Sequence, residues 1–588
     1  MLLRVAERHG IRVRSLQHVL EGYKVAPEIV EHGSSCSTFA DWWAYKVEAY
    51  DAVPHNAAVL HRAGANVVIK SDDAELMRHL YYEAAKPVRY GSLPLHEAPA
   101  LITRNAAREL GIADRWGTLE VGKQGDVAIF NGHPLNSWSR CEGTIIGGEI
   151  VFWREDQPSA MTEASWRRSR TAPEVPLPPR GSDPPPLDLS PAMGQRVALV
   201  GASIHPVDAP QIPRGVVLIE DGRIVQVQPG DAVPADWPVL SLEGLQLYPG
   251  LIDAGSTLGL TEIRRVLETH DFEEVGEFQP DVQAAVAVNP DSELIPVARA
   301  GGITHVHVTP VNSLWCGQSS LIQLAGWTAP QMTRRGSVAL AIHWPQGAQR
   351  RERLKKLQQV MATARRYAAA RDAEPPGSPA TVLFDPRYEA LRPVFNGELP
   401  LLIYADTEQQ IADALRFTEQ EKVRWILCGG ASAWKFAIEL KQREIPVIVG
   451  PVMRAPAETY DPFDAPYTNP ARLYEAGVKF CIRSHDASNS RNVPFEAAMA
   501  VAYGLPVEAA LRAVTLSAAE ILGVAHDTGS ITPGKRADLV VLDGSPLQIT
   551  SQVRAVFIAG QPFLPESRQT RFYEKYQRRL QLTQPAAR

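Results

Sequence analysis

Short apolar runs alternate with helical patterns through the middle of the chain. Between Leu247 and about Gly523, runs such as GITHVHV, PLLIYA, RWILCGG, PVIVG and VKFCI alternate with stretches such as RRERLKKLQQVMATARRYAAA. Strands that alternate with helices imply parallel βαβ units, and the length suits eight of them. The pattern therefore predicts an α/β fold with a (β/α)8 TIM barrel over residues 249–523.

A pattern of short strands flanks this stretch on both sides. VALVGASI and GVVLIEDGRIVQV, between Arg196 and Val227, are punctuated by Gly and Asp-Gly turn signals. ADLVVLD and VRAVFIAGQPF repeat the pattern near the end of the chain. We expect residues 195–248 and 524–565 to form one β-sandwich beside the barrel, followed by a tail over 566–588.

The chain also repeats itself. LGIADRWGTLEVGKQGDVAIFNGHPL from Leu110 matches LGVAHDTGSITPGKRADLVVLDGSPL from Leu522, and AGANVVIKSDDA from Ala63 matches AGVKFCIRSHDA from Ala476. Two copies of one kind of domain are predicted, and the second extends farther upstream than the first. We expect residues 1–155 to be the C-terminal part of a first copy truncated at its N-terminus, and the Pro-rich segment 156–194 to be a linker.

Composition narrows the function classes. With 60 basic and 66 acidic residues, the net charge of −6 gives no global reason to bind nucleic acid or an anionic membrane. Five cysteines without a CxxC pair favour buried thiols over disulfides or a thiolate zinc site. No apolar run approaches the ~18 residues of a transmembrane helix, and the N-terminus lacks a signal-peptide pattern. We expect no membrane or nucleic-acid partner and, by default, a cytoplasmic location.

The order of these patterns resembles the amidohydrolase superfamily. YPGLIDAGSTLGL from Tyr248 and GSITPGKRADLVVLDG from Gly529 bracket the barrel as in that family, and NPDSELIPVARAGGIT and STFADWWAYKVEAYD look like tandem-domain bacterial amidohydrolases related to imidazolonepropionase and dihydroorotase. The resemblance implies hydrolysis of non-peptide carbon–nitrogen bonds, in a small amide or cyclic amide, with one or two divalent cations, often zinc. The family's ligands are an H-x-H, a Lys or His, two further histidines and a last-strand Asp, at the mouth of the barrel.

The first copy keeps two of these residue types. By resemblance, His18 in LQHVLEGYK is the sixth-strand ligand, or else a structural histidine. Asp72 in IKSDDAE is the last-strand ligand and general base, with Asp73 as its competitor or a helix N-cap. Two ligands cannot hold a catalytic zinc, so we expect metal only if a front-half chain or a homo-oligomer supplies the rest, and otherwise none. Trp42 and Trp43 either line a substrate pocket or simply pack.

The second copy departs from the family pattern. DAGST places Gly255 and Thr257 at the two histidine positions of the first strand, and the later positions hold Tyr404, Gly429 and His485. Since none of the first four replaces an imidazole, we expect this copy to be pseudo-catalytic.

Other histidines are expected to be structural or solvated. His305 and His307 form an H-x-H in GITHVHVTP, but on a run that looks like the family's second strand, where structural roles are favoured. A weaker hypothesis joins these two with His485 in a metal site. His55 and His61 lie in the helical pattern PHNAAVLHRAG and are expected to be solvated.

Two functions remain open. The first is a metal-dependent hydrolase with a partial catalytic copy and a pseudo-catalytic copy. The second is a non-catalytic pseudoenzyme or scaffold subunit that binds a ligand or a partner. The metal content of the protein distinguishes them. The sequence alone does not predict the substrate, because specificity in this fold depends on the loops at the barrel mouth.

Overall fold

The computed structural model describes residues 1–154, 172, 174–374 and 382–583. Much of the predicted linker, up to residue 171 and at 173, lies outside the described residues, as do the last five residues of the predicted tail. Residues 174–189 of the linker contain neither helix nor strand. All five cysteines are unpaired and four are buried, as the cysteine spacing predicts.

The first part of the chain contains two three-stranded sheets. A parallel sheet comprises, in spatial order, Ser15–Leu16 (β1), Ser35–Thr38 (β2) and Val67–Ile69 (β3). An antiparallel sheet comprises Val127–Phe130 (β4), Cys141–Ile146 (β5) and Glu149–Trp153 (β6). The helices of this part are Leu2–Arg8 (α1), Ala26–His32 (α2), Asn56–Ala63 (α3), Leu80–Gly91 (α4) and Arg104–Leu110 (α5).

A mixed sheet opens the second part. Its first strands are Arg196–Ile204 (β7), Ile212–Glu220 (β8), Arg223–Pro229 (β9), Val239–Ser241 (β10) and Gln246–Pro249 (β11). Asp221 and Gly222 join β8 to β9 with φ of 49° and 76°, which is the left-handed turn that the Asp-Gly signal predicts.

Eight strands then follow in sequential spatial order and form a nearly closed sheet. They are Leu251–Ser256 (β12), Ile303–Val308 (β13), Trp315–Gln323 (β14), Thr333–His343 (β15), Leu401–Ala405 (β16), Trp425–Gly429 (β17), Val447–Val449 (β18) and Phe480–Ile482 (β19). The first and last strands lie side by side, and the backbone N–H of His485, just after β19, donates to the carbonyl of Gly255 in β12 at 3.0 Å. The mouth of this barrel is the end at which β12 and β19 finish.

The prediction of eight parallel strands is wrong at β14. This strand is antiparallel to both β13 and β15. Only residues 309–314 connect β13 to β14, and only 324–332 connect β14 to β15, whereas a parallel crossover needs a dozen residues or more. The chain therefore turns back twice, and the barrel-like sheet is mixed.

The chain finally returns to the mixed sheet. Leu539–Leu542 (β20), Val553–Ile558 (β21) and Gln561–Phe563 (β22) extend that sheet beyond β11, in the order β22-β21-β20-β11-β7-β8-β9. The helices of this part are Ala284–Ala287 (α6), Leu294–Ala300 (α7), Ala329–Met332 (α8), Arg350–Asp372 (α9), Pro386–Glu389 (α10), Arg392–Phe395 (α11), Glu408–Glu421 (α12), Ala437–Gln442 (α13), Ala465–Glu475 (α14), Val493–Ala502 (α15), Val507–Ala513 (α16), Leu516–Ile521 (α17) and Arg568–Thr583 (α18). None of the described helices is long and apolar enough to cross a membrane.

The sequence repeat is reproduced in single hydrogen bonds. The Asp126 Oδ1 accepts the backbone N–H of Gly147 at 2.7 Å. At the matching positions of the second part, the Asp538 Oδ1 accepts the backbone N–H of Ala559 at 2.8 Å. The two parts, hereafter the first unit (residues 1–154) and the second unit (residues 195–583), are thus built alike where they match.

Equivalent positions meet where the two units pack together. The Gln548 side-chain amide donates to the Asn136 Oδ1 at 2.9 Å, and these residues are 412 positions apart, which is the offset of the repeat. The backbone N–H of Ile549 donates to the Ser137 Oγ at 2.8 Å, with the same separation. A position that contacts its own equivalent lies near a twofold axis. The units therefore pack about an approximate twofold axis, like subunits of a symmetric dimer.

Two arginines at equivalent positions reach across this axis. Arg491 donates to the carbonyl oxygen of Asp41 at 2.9 Å, in the loop after β2. Arg78 donates to the carbonyl oxygen of Arg454 at 3.3 Å, in the loop after β18, which is the matching strand of the second unit. The two contacts are the reciprocal halves of one symmetric arrangement.

Candidate functional site

The first unit brings His18 and Asp72 together. Each follows a strand of the parallel sheet, β1 and β3 respectively, and the His18 Nε2 lies 3.8 Å from the Asp72 Oδ2. Both side chains are about half exposed, at 51% and 52%. Their φ angles of 56° and 53° are left-handed, a conformation that is costly for non-glycine residues and clusters at functional sites.

Asp73 has the other role that the sequence left open. Its Oδ1 accepts the backbone N–H groups of Glu75 and Leu76, each at 2.9 Å. This is the geometry of a cap on the turn that follows. Asp72 therefore remains the carboxylate beside His18.

The two tryptophans of the first unit have different surroundings. Trp42 stacks on Phe39 with 4.1 Å between ring centroids, and Phe39 in turn packs edge-on against His18 at 5.4 Å. Trp43 is buried, and its indole N–H donates to the carbonyl of Ser488 in the second unit at 3.2 Å. Trp42 thus lies near the His18–Asp72 pair, whereas Trp43 packs between the units.

The described residues do not by themselves fit the metal that the resemblance implies. Within the described part of the chain, no group of three or more His, Cys, Asp or Glu residues could hold a metal ion. A catalytic zinc takes three protein groups and a water. The His18–Asp72 pair supplies two.

His305 and His307 have structural partners inside the second unit. The His307 Nδ1 donates to the Ala254 carbonyl at 2.9 Å, its Nε2 lies 2.7 Å from the Ser319 Oγ, and burial lowers its pKa to about 4. The buried His305 lies with its Nε2 3.8 Å from the Asp538 Oδ2. Within the described residues these two do not form a metal-binding group with His485.

Glycines at two ligand positions of the second unit leave room for charged side chains. A Cβ atom on Gly255 would lie 2.9 Å from the Arg483 Cδ. A Cβ atom on Gly429 would lie 2.6 Å from the Asp406 Oδ1. Sequence reasoning missed Arg483 and Asp406, although each directly follows the apolar run of a predicted strand, in FCIR and LLIYAD.

The Arg483 guanidinium dominates the electrostatics of this mouth. Arg483 is 4% exposed, and its charge, followed by burial, lowers the pKa of His485 to about 4. Burial, followed by the same charge, lowers the pKa of His343 to about 4. Burial raises the pKa of Asp253 to about 6, although Ser484 and Ser490 donate to it. Both imidazoles are therefore neutral at neutral pH.

His55 corrects one sequence expectation, because it is buried rather than solvated. It is 5% exposed and stacks on Tyr573 of α18 with 4.2 Å between ring centroids. Burial lowers its pKa to about 3. Helix α18, which lies within the predicted tail, covers this face of the first unit, and a cavity of about 350 Å³ remains beside it, with His55, Arg89 and Asp183 in its wall.

Comparisons with known proteins match both units. Sequence models described as "Amidohydrolase family" match residues 47–152 and 466–563. The amidohydrolase tasK of Hapsidospora irregularis is 26% identical over 90% of this chain, which spans 59% of that relative's length. The imidazolonepropionase of Symbiobacterium thermophilum is 25% identical over 57% of this chain and 85% of its own length. The crystal structure of an amidohydrolase from Thermotoga maritima MSB8 superposes with a TM-score of 0.59 and 25% identity, over 63% of this chain and 100% of that one.

Proposed function

We propose that this chain, which belongs to the amidohydrolase superfamily and carries two related units in tandem, hydrolyses a carbon–nitrogen bond other than a peptide bond at the mouth of its first unit. The His18–Asp72 pair carries the proposal. These residues keep the ligand types of the family, follow two strands of one parallel sheet, and lie 3.8 Å apart in strained, half-exposed positions. The substrate class that the matched relatives suggest is a small amide or cyclic amide.

In this proposal Asp72 is the general base. Its carboxylate, half exposed, takes the proton of the attacking water. His18 and Asp72 would supply two of the protein groups for a divalent metal, zinc in the family's usual case, which when bound lowers the pKa of its water. The remaining ligands would come from groups other than the described residues, in a complementing segment or subunit. Trp42 would form a wall of the substrate site.

The second unit is the pseudo-catalytic partner in this proposal. Glycine replaces two ligand positions there, and Arg483 and Asp406 occupy the space. The contacts between equivalent residues support a role as a built-in subunit that holds the first unit in place. In this organisation the truncated first copy spans residues 1–155, the linker 156–194, the sandwich 195–248 with 524–565, the barrel 249–523 and the tail 566–588.

A second candidate function is a scaffold without catalysis. The observation that favours it is the buried contact between the units, in which the Asn492 side-chain amide donates to the Asp41 carboxylate at 3.0 Å while Arg491 donates to the Asp41 carbonyl. In this case the second unit would bind a ligand or a partner and the first unit would stabilise it.

The deciding experiment uses the protein isolated from its native source, with any accompanying segments and subunits. Its metal content and its hydrolysis of a panel of cyclic imides and imidazolones are measured for the wild type, for Asp72→Asn and for Asp73→Asn. We expect stoichiometric zinc and a kcat at least ~10³-fold lower in Asp72→Asn, with less than tenfold loss in the Asp73→Asn control. A folded, metal-free protein without activity would favour the scaffold.

A further inference from the structure

Arg483 is a buried cation at the mouth of the second unit without a carboxylate partner of its own. Within the described residues, no carboxylate lies within 4 Å of its guanidinium, and its Nε donates to the Gly450 carbonyl at 2.9 Å. The guanidinium also lies 5.1 Å from the centroid of the Tyr404 ring. Buried charges are normally paired with an opposite charge, because removing a charge from water is costly.

Two acidic residues near Arg483 are engaged elsewhere. Asp406 accepts the Arg454 guanidinium at 3.0 Å. The Asp253 carboxylate accepts the backbone N–H groups of Ser484 and Gly255, at 3.0 and 3.2 Å, and the Ser490 hydroxyl at 2.7 Å. Neither carboxylate therefore has to serve as the partner of Arg483.

A second polar group at this mouth also lacks a partner. The His343 Nε2 is buried without a hydrogen-bond partner within the described residues, and the His343 ring lies 4.5 Å from the Tyr404 ring. His343 ends β15, so it comes to the mouth from a different strand than Arg483. Two polar groups that contact the same tyrosine ring are thus both left with unused hydrogen-bonding capacity.

We propose that the mouth of the second unit binds the carboxylate of a small organic acid on the Arg483 guanidinium, with a further hydrogen bond from His343. The fork of N–H groups on an arginine matches the two oxygens of a carboxylate. A single unpaired cation favours a monoanion, because a phosphate dianion would keep one charge uncompensated in a buried place.

The same geometry argues against a divalent cation at this place. Room for the Arg483 side chain comes from Gly255, at a position where the family has a histidine ligand. A metal ion there would lie next to a buried positive charge and would lack that imidazole.

The test is calorimetric titration of the full chain with sodium acetate at constant ionic strength, and in parallel with inorganic phosphate, sodium chloride and zinc chloride. We expect saturable acetate binding with a Kd on the order of 1 mM. Arg483→Met should weaken it at least tenfold, whereas Arg351→Met, an exposed arginine of α9, should leave it unchanged.

Gly255→Ala is the second variant. It keeps every charge, but its Cβ would lie 2.9 Å from the Arg483 Cδ and displace that side chain, so acetate binding should again weaken. Circular dichroism checks that both variants are folded. Asp72→Asn should bind acetate normally, which separates this proposal from hydrolysis by the first unit.

Three outcomes would overturn the proposal. One is the absence of saturable acetate binding by the wild-type chain, and another is equal binding by Arg483→Met. The third is tighter binding of phosphate, chloride or zinc than of acetate at this site, which would assign it to a different ligand.

Discussion

The mouths of the two units are built on matching strand ends and differ in which side chains have room there. In the first unit, His18 and Asp72 occupy left-handed positions and face solvent. In the second unit, Gly429 takes the place of His18, and His485, again left-handed with φ of 73°, takes the place of Asp72. Asp406 and Arg483 fill the space that Gly429 and Gly255 provide. Because interiors are closely packed, a side chain placed at Gly255 or Gly429 would collide with Arg483 or Asp406 unless these residues moved.

The largest effect that tests this comparison lies at the approximate twofold axis. Arg491 is 2% exposed, donates to Asp41 and to the Gln569 side chain, and so links the units in a buried environment. Its counterpart Arg78 is only half-buried. We expect Arg491→Met to lower the free energy of unfolding by about 4 kcal/mol and Arg78→Met by about 1 kcal/mol, measured in urea. Equal losses of unfolding free energy in the two variants would show that Arg491 and Arg78 contribute equally to stability, which would contradict this expectation.

A second test concerns two matching buried glutamates. Burial raises the pKa of Glu496 to about 7, with backbone N–H groups of Val452 and Met453 as its partners, whereas Glu83 has Lys86 beside it at 2.6 Å. A carboxyl whose folded pKa is raised holds its proton in the native state, so its contribution to stability is present below its unfolded pKa and is lost as the pH rises to about 7.

We therefore expect wild-type stability to fall by about 3 kcal/mol from this group between pH 4.5 and pH 7. Glu496→Gln should remove that fall, as followed by urea unfolding at several pH values. Glu83→Gln is the matched variant, and near pH 7 it should destabilise the protein by about 1–3 kcal/mol, because it deprives Lys86 of one partner. An unchanged pH profile in Glu496→Gln would contradict the assignment.

The smallest effect concerns backbone strain. His18 and Asp72 are non-glycine residues with positive φ, and the second unit has Gly429 at the position of His18. His18→Gly and Asp72→Gly should each raise the free energy of unfolding by about 1 kcal/mol while removing any zinc binding. His485→Gly is the control, since it should give a similar gain without affecting zinc. A loss of stability in His18→Gly would mean that its contact with Phe39 outweighs the strain.

Much of the fold and part of the candidate site could be predicted from sequence patterns. The repeat and the strand ends could be predicted because apolar periodicity and the Gly-Lys turns are local features of the sequence. In the structure the His18 Nε2 lies 3.8 Å from the Asp72 Oδ2, and the metal-binding role predicted for these two residues stays a prediction. The direction of β14 depends on the lengths of the connections on either side of it. The alternation of strands and helices does not indicate these lengths, so the antiparallel direction was not predicted.

Other features depend on residues that are distant in sequence. The burial of His55 requires α18, and the room for Arg483 requires Gly255 on β12, the strand next to β19 in the barrel. The approximate twofold axis follows from contacts such as Gln548 with Asn136. A sequence pattern contains no information on such pairs until the fold is known, so these features could not be predicted.

The contacts across the axis can form only late in biosynthesis, because they join residues that are far apart in the chain. The carbonyl of Asp41 meets Arg491, a residue 450 positions later in the chain. At a synthesis rate of about 5–20 residues per second, the first unit waits roughly 20–90 s on the ribosome before that partner exists. During this interval its parallel sheet and the surface that α18 later covers are open to other nascent chains. We therefore expect the folding of the first unit to depend on chaperones more than the folding of the second unit does.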